Sequence, residues 1–311
     1  MNSKCILITG SNGLLGSALV KVLSPTYNIV SHTRADADLQ DGFSTSAYLW
    51  EMKMEYGVDT IIHTAAEVGG VLKNTQNREK MFVNNLNINN NVFKGAYDAE
   101  IKQFVNILST CIFPSPGEYP LTPNQMYRRE PDKSAYGYAM AKRLSASTVD
   151  KYHEVLGWNW INVIPTNIYG PGDNFNPDNS HVLANLINKA YNSSKTGEDF
   201  IIWGDGSPLR QFIFSEDLAK VIKEHIIEAP FNFSPIMTVN PTEYSITDVA
   251  FLIAKKFGIE SDKIRFDSAK PSGIARMTAS TNIPFFEWTT LSDGLDKTID
   301  WYINNLNKIR K

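Results

Sequence analysis

Cysteine is almost missing from this chain. Cys5 and Cys111 are the only two, and they lie far apart. They make no disulfide framework, so a reducing cytoplasm is the expected compartment. Long hydrophobic runs are missing too. None approaches the ~20 residues that a membrane-spanning helix needs, so no membrane association is expected. Charge of one sign is not in excess: 30 Lys and Arg face 33 Asp and Glu, a net charge of −3. That leaves no basic footprint for nucleic acid. The chain has no internal repeat, low-complexity tract or charge block, and no metal is expected. Met1-Asn2-Ser3-Lys4 leads directly into a strand-like stretch, so no signal peptide is expected. What is present is ordinary globular material. The 311 residues are 42% hydrophobic and 20% charged, enough for one large core or two moderate ones.

The chain opens on residues 4–9, an apolar run rich in β-branched residues. Gly10-Ser11-Asn12-Gly13-Leu14-Leu15-Gly16 follows, then Ala18, Leu19, Val22 and Leu23 at helical spacing. This is strand, glycine turn, helix. Its G-x-x-G-x-x-G spacing lets backbone amides approach a pyrophosphate at a helix N-terminus, so Gly10 to Gly16 are expected to hold a dinucleotide. A second strand at 28–32 runs into Thr33-Arg34-Ala35-Asp36. An acid after this strand suits the ribose of NAD, and an arginine suits the 2′-phosphate of NADP. Arg34 is the first charge, so NADP(H) is expected; recognition by Asp36 or Asp38 is the competing reading.

A helix over 45–56 and a strand over 60–63 lead to Thr64-Ala65-Ala66-Glu67-Val68-Gly69-Gly70, whose small residues let backbone approach a cofactor. His63, inside the strand, is expected to be a core histidine. An asparagine-rich helix over 79–99 follows, then a strand over 103–108 ending in Ser109-Thr110-Cys111. Next come a loop stiffened by Pro114, Pro116, Pro120 and Pro123, a helix opening near Ser134, and a strand over 160–165. Alternating strands and helices predict a parallel sheet covered on both faces, with ligands at the carboxyl ends of its strands. After residue 166 the composition shifts. A polar loop over 172–180 reaches His181 at a helix start. A strand within 198–206, a helix from about Ser215, a strand over 237–240 and helices over 245–257 and from about Leu291 complete the chain. The expected fold class is α/β. A Rossmann doubly wound parallel sheet covers residues 1–166, with a return to it around 211–241. A smaller C-terminal α/β lobe takes most of 167–311.

Tyr138 and Lys142, four apart at the start of the helix after the proline loop, share a face. An ammonium beside a phenol favours the phenolate and lowers its pKa. Tyr138 could then exchange a proton with a carbonyl oxygen near neutral pH. The spacing alone is weak, because Tyr191 and Lys195 repeat it in a polar context at a helix end.

The glycine turn, Ser109, Tyr138 and Lys142 together resemble the extended short-chain dehydrogenase/reductase superfamily. Longer segments in a fixed order narrow the resemblance. They are Ala65-Ala66-Glu67-Val68-Gly69-Gly70, Ser109 to Pro114, Pro165-Thr166-Asn167-Ile168-Tyr169-Gly170-Pro171-Gly172-Asp173-Asn174-Phe175, Ser180-His181-Val182, and Trp203 to Phe212. Over nearly its whole length the chain resembles the GDP-L-fucose synthase family, the GDP-4-keto-6-deoxy-mannose 3,5-epimerase/4-reductases.

The resemblance implies a reaction. A C4 ketone makes the hydrogens on C3 and C5 acidic, and inversion needs a base on one face and an acid on the other. The resemblance assigns that pair to Cys111 and His181, two groups that ordinarily titrate near working pH. Ser109 and Tyr138 would stabilise the enolate oxygen. Tyr138 would protonate C4–O after hydride transfer, and Lys142 would hold the nicotinamide ribose. Further cofactor contacts are implied at Ala65, Leu108, Pro165, Asn167, Ile168 and His181. Lys189, Trp203 and Arg210 would hold the GDP-sugar. A homodimer with a four-helix interface, built on the 79–99 helix and the Tyr138 helix, is implied as well.

Departures occur at Ser272, where the family often has an aspartate that contacts substrate, at Met277, where it has a basic residue, and at Asn12, where some relatives have an arginine. Ser272 therefore leaves other substrates open: a related GDP-deoxysugar such as the colitose precursor, or a GDP-heptose, reduced with or without epimerisation. A non-catalytic NADP-binding regulator is the reading from another class.

Overall fold

The computed structural model describes residues 4–229, 235–270, 273–283 and 285–309. The first half alternates as its apolar pattern requires: β1 (Cys5–Thr9), α1 (Leu14–Leu23), β2 (Asn28–His32), α2 (Gly42–Tyr56), β3 (Thr60–His63), α3 (Val71–Gln76), α4 (Arg78–Asp98), β4 (Gln103–Ile107), α5 (Tyr136–Leu156) and β5 (Asn159–Pro165). Every residue of β1 and β3 is buried. Such continuous burial marks strands covered on both faces. Local chemistry sets the helix ends. Asp41 caps α2 by accepting from Ser44 N at 2.6 Å, and Gly57 ends it in the left-handed region.

The second half holds β6 (Asn167–Tyr169), α6 (Val182–Thr196), β7 (Phe200–Trp203), β8 (Leu209–Phe214), α7 (Ser215–Ile222), β9 (Ile236–Thr238), β10 (Glu243–Ser245), α8 (Ile246–Lys256), β11 (Ile264–Asp267), β12 (Arg276–Met277) and α9 (Leu291–Asn304). The large sheet is six-stranded and parallel in the order β2-β1-β3-β4-β5-β9. Its strand order reverses beside β1, so α1 and α7 pack on one face and α2, α4 and α5 on the other. This is the Rossmann doubly wound fold. The final strand arrives from residues 236–238, after the chain has made part of the smaller lobe.

In that lobe β8 is flanked by β10 and β12 and also pairs with β6, while β7 pairs with β11. Leu183, Ile187, Ile202, Phe212, Val249, Ile253, Leu295 and Tyr302 form its core. The sequence pattern missed α3 and named no strand over β8. α3 has six residues with one buried side chain, too few for a periodic signal.

Candidate active site

The carboxyl ends of β1 and β3 form the first part of the site. Gly10 has a φ of 68°, and a Cβ there would meet the Ala65 backbone at 3.0 Å. A Cβ on Gly16 would lie 2.2 Å from the Gly10 carbonyl oxygen, so only glycine lets the helix approach the turn this closely. α1 starts at Gly13 without a side-chain cap, which leaves the amides of its first turn, at Leu14 and Leu15, open to an anion. Asn12 is exposed at the tip. Ser11 ties the turn to β2 by donating from N and Oγ to the His32 carbonyl at 3.0 and 3.1 Å.

Beyond β2 the carboxylates are already used. Asp36 Oδ2 accepts from Thr33 N at 2.7 Å and Thr33 Oγ1 at 2.8 Å, and Asp38 Oδ1 accepts from Gln40 N at 3.0 Å. Arg34 is exposed beside them. A glycine cradle, an uncapped helix start and an exposed arginine fit a dinucleotide carrying a 2′-phosphate.

A buried relay fixes Ala65. Its N–H donates to Thr9 Oγ1 at 3.3 Å. Thr9 Oγ1 lies 2.8 Å from His63 Nδ1, and His63 Nε2 lies 3.1 Å from Asn89 Oδ1. Burial pushes the His63 pKa down to about 3, so the ring is neutral. The Asn89 oxygen requires a donor, which puts the proton on Nε2 and lets Nδ1 accept from Thr9.

The second group stands where β4 ends, against α5. Ser109 caps a single 3₁₀ turn, Thr110–Ile112, by accepting from Cys111 N at 3.4 Å. Lys142, almost fully buried, donates from Nζ to the Ile107 carbonyl at 2.7 Å and lies 6.0 Å from the centre of the Tyr138 ring. Beneath them Asn106 Nδ2 donates to Asn162 Oδ1 at 2.8 Å and to Ser145 Oγ at 3.2 Å, locking β4, β5 and α5 together. Leu108 N donates to the Val163 carbonyl at 2.8 Å, and Pro165 ends β5. By contrast, the Tyr191–Lys195 pair lies on α6, where Tyr191 packs on Phe257 and Tyr302.

Two titration expectations need correction. Burial, reinforced by the nearby Cys111, raises the Tyr138 pKa; Lys142 does not lower it. Tyr138 is therefore a protonated phenol, able to give a proton rather than standing as phenolate. Burial likewise pushes Cys111 up to about 11, although Ser109, Lys142 and Arg143 pull the other way. Desolvation moves His181 down as well, although the residue is exposed at the cavity wall. At neutral pH the resting pair is a thiol and a neutral imidazole. Lys142 falls to about 8 through burial and keeps most of its charge at pH 7.

The third group lines a cavity of about 280 Å³ between the two lobes. Its walls include Asn167, Ile168, His181, Lys189, Trp203 and Arg210. Asn167 is held by a bond from Nδ2 to the Gln211 carbonyl at 2.9 Å, and His181 is the N-cap residue of α6. Lys189 Nζ lies 4.6 Å from the Trp203 ring centre and Lys270 Nζ lies 5.7 Å from it. Burial pushes Lys189 down to about 8; Asp267 opposes this and Lys270 adds to it. Two ammonium groups over one indole, with Arg210 in the same cavity wall as that indole, suit a diphosphate and a flat ring.

His181 lines this cavity with the cationic residues, while Cys111 and Tyr138 stand with Ser109 and Lys142 at the end of β4. Ser272 lies outside the described residues. A larger concavity of about 600 Å³, walled by Tyr119, Tyr136 and Arg276, holds none of the expected site residues. Sequence reasoning missed Lys270, whose ammonium lies over the Trp203 ring. It also missed Val71 and Leu72 of α3, which carry no motif.

A doubly wound sheet with a glycine cradle at its carboxyl edge and a Ser-Tyr-Lys cluster two strands away defines a nicotinamide-dinucleotide enzyme. The chain belongs to the NAD dependent epimerase/dehydratase family, whose model matches residues 6–233. It is 34% identical to a GDP-L-fucose synthase from Dictyostelium discoideum over 100% of this chain and 98% of that one. It is 30% identical to a GDP-L-colitose synthase from Yersinia pseudotuberculosis over 97% and 99%. The structure of a GDP-L-fucose synthetase from Naegleria fowleri bound to NADP superposes with a TM-score of 0.88 at 32% identity, covering 100% of this chain and 97% of that one.

Proposed function

We propose that the chain carries out NADPH-dependent 3,5-epimerisation and 4-keto reduction of GDP-4-keto-6-deoxy-D-mannose, giving GDP-L-fucose. One observation carries the reading. Ser109, Cys111, Tyr138 and Lys142 converge at the end of β4, and His181 lines the cationic cavity. A non-catalytic dinucleotide-binding module has no use for that set.

The GDP moiety binds against Lys189, Trp203, Lys270 and Arg210. The C4 carbonyl oxygen is held by the Ser109 and Tyr138 hydroxyls. At C3 and then C5, one member of the Cys111–His181 pair takes the proton and the other returns one from the opposite face, with no net redox change. Each removal puts negative charge on the C4 oxygen, where Ser109 and Tyr138 stabilise it as hydrogen-bond donors. Bound NADPH supplies the hydride for C4. Tyr138 gives its phenolic proton to the resulting alkoxide, and Lys142 holds the nicotinamide ribose with the N–H groups not used by Ile107. One oxygen site serves both reactions because both build charge on the same atom. Gly10 to Gly16, Ala65, Leu108, Pro165, Asn167 and Ile168 hold the cofactor, with Arg34 on the 2′-phosphate.

The likeness to a GDP-L-colitose synthase supports a second reading, a related GDP-deoxysugar. Incubation in D₂O with and without NADPH, followed by NMR, tests both. Deuterium at C3 and C5 without NADPH and GDP-L-fucose with it support the first. Reduction without deuterium leaves a 4-reductase and removes Cys111 and His181 from the chemistry. No turnover with NADPH still bound moves the assignment to another GDP-sugar.

The enzyme is also proposed to be a cytoplasmic homodimer, α4 and α5 packing on their mates. Val83 and Leu144, exposed on those helices, support it, and sedimentation equilibrium tests it. No helix among the described residues is long and apolar enough to cross a membrane.

A further inference from the structure

Arg143 follows Lys142 directly on α5, yet it carries no motif and no role in the reaction above. It is one of the few buried cations, 7% exposed. Its Nε donates to the Ile112 carbonyl at 2.5 Å, and its Nη2 is buried without a hydrogen-bond partner. An unpaired buried guanidinium nitrogen is costly, and such groups are rare without a reason. The neighbouring carboxylate is engaged elsewhere: Glu130 takes the hydrogen bond of Tyr136.

The two adjacent cations hold the two ends of one short segment. Lys142 Nζ bonds the carbonyl of Ile107, the last residue of β4, and Arg143 Nε bonds the carbonyl of Ile112, the last residue of the 3₁₀ turn. Ser109 and Cys111 lie between those anchors. Since i and i+1 point about 100° apart on a helix, one turn of α5 grips the segment from two directions. We infer that Arg143 is a positioning residue for proton transfer at Cys111, fixing the turn that carries the sulfur and supplying the second positive charge beside it.

The inference rests on the reading of Cys111 as a proton-transfer group. Whichever way the proton moves, Cys111 passes through the thiolate. The groups that face it are Ser109 on its own turn and Tyr138, Lys142 and Arg143 on α5. Lys142 and Arg143 favour the thiolate, while burial opposes it. Tyr127 and Glu130 face Arg143 from the preceding loop, and Tyr136 faces it from the first turn of α5. Reduction at C4 uses Ser109 and Tyr138 and needs no thiolate, so the effect of Arg143 falls on epimerisation.

The test compares Arg143→Met, Arg143→Lys and Cys111→Ser with the wild-type full chain, each with NADP⁺ bound. Three quantities are read: deuterium exchange at C3 and C5, oxidation of GDP-L-fucose by NADP⁺ (the redox step run backwards), and the rate of Cys111 alkylation by iodoacetamide against pH. In Arg143→Met, exchange should fall at least tenfold more than oxidation, and alkylation at pH 9 should fall several-fold. Arg143→Lys should recover most of both. Unchanged alkylation, or equal loss of exchange and oxidation, overturns the inference and leaves Arg143 as a structural clamp. Wild-type exchange in Cys111→Ser overturns the Cys111 reading itself, and this inference with it, whatever Arg143→Met does.

Discussion

Lys142 gives its ammonium to the carbonyl of Ile107 at 2.7 Å and does not share it with the Tyr138 hydroxyl. The positive charge therefore sits at the strand end, beside the place where a cofactor ribose must pass, and Tyr138 keeps its proton because burial dominates its environment. That division of labour leaves Tyr138 with a proton to give in the reductive step proposed above.

Replacing Tyr138 with Phe removes the phenol proposed to protonate the C4 oxygen while preserving the ring. Reduction should fall roughly 10²–10⁴-fold, the usual value of a positioned proton donor. NADPH binding, followed by nicotinamide fluorescence, should stay within a factor of about two. Reduction at the wild-type rate would remove Tyr138 from the role.

Cys111 should alkylate as a high-pKa thiol. Thiolate is the reactive form. With the pKa pushed up to about 11, the rate should climb close to tenfold per pH unit from pH 8 to 10. An ordinary cysteine would level off near ~8.5. Cys111→Ser supplies the blank, since Cys5 is buried. A plateau below pH 9 would contradict the burial argument.

Arg34→Ala should raise the KM for NADPH about 10- to 100-fold, the worth of one charge-assisted contact of roughly 1.5–3 kcal/mol. The KM for NADH should hardly move, because NADH has no 2′-phosphate. Both cofactors weakening together would mean that Arg34 supports the turn rather than reading the phosphate.

Lys189→Met should raise the KM for the GDP-sugar about tenfold, the lower end of the ~1.5–3 kcal/mol of a charged hydrogen bond, with kcat little changed. Trp203→Ala should act on the same parameter. The double variant should lose less than the sum, because Lys189 Nζ lies 4.6 Å from that ring. A kcat effect larger than the KM effect would place Lys189 nearer the reacting carbons.

By itself the sequence determined the order of the layers. Strands with unbroken apolar runs, such as Ile6 to Ile8 and Ile61 to Ile62, must be covered on both faces, and helices between them provide the cover. It also determined the cradle at Gly16, where a Cβ would meet the Gly10 carbonyl six positions back, whereas the close approach at Gly10 comes from Ala65 across the sheet. Ser109, Cys111, Tyr138, Lys142 and His181 stood out through motifs in a fixed order.

Only the tertiary structure decided what those groups do at rest. A pKa depends on what surrounds a side chain from every direction, and neighbours from distant segments are invisible in a spacing of four. So Tyr138 moved up where its spacing to Lys142 suggested availability near neutral pH, and Cys111 moved up where the ordinary value of a thiol did. The same reason hid Lys270, brought onto Trp203 from 67 positions away. It also hid Arg143, whose significance lies in a carbonyl 31 positions back along the chain.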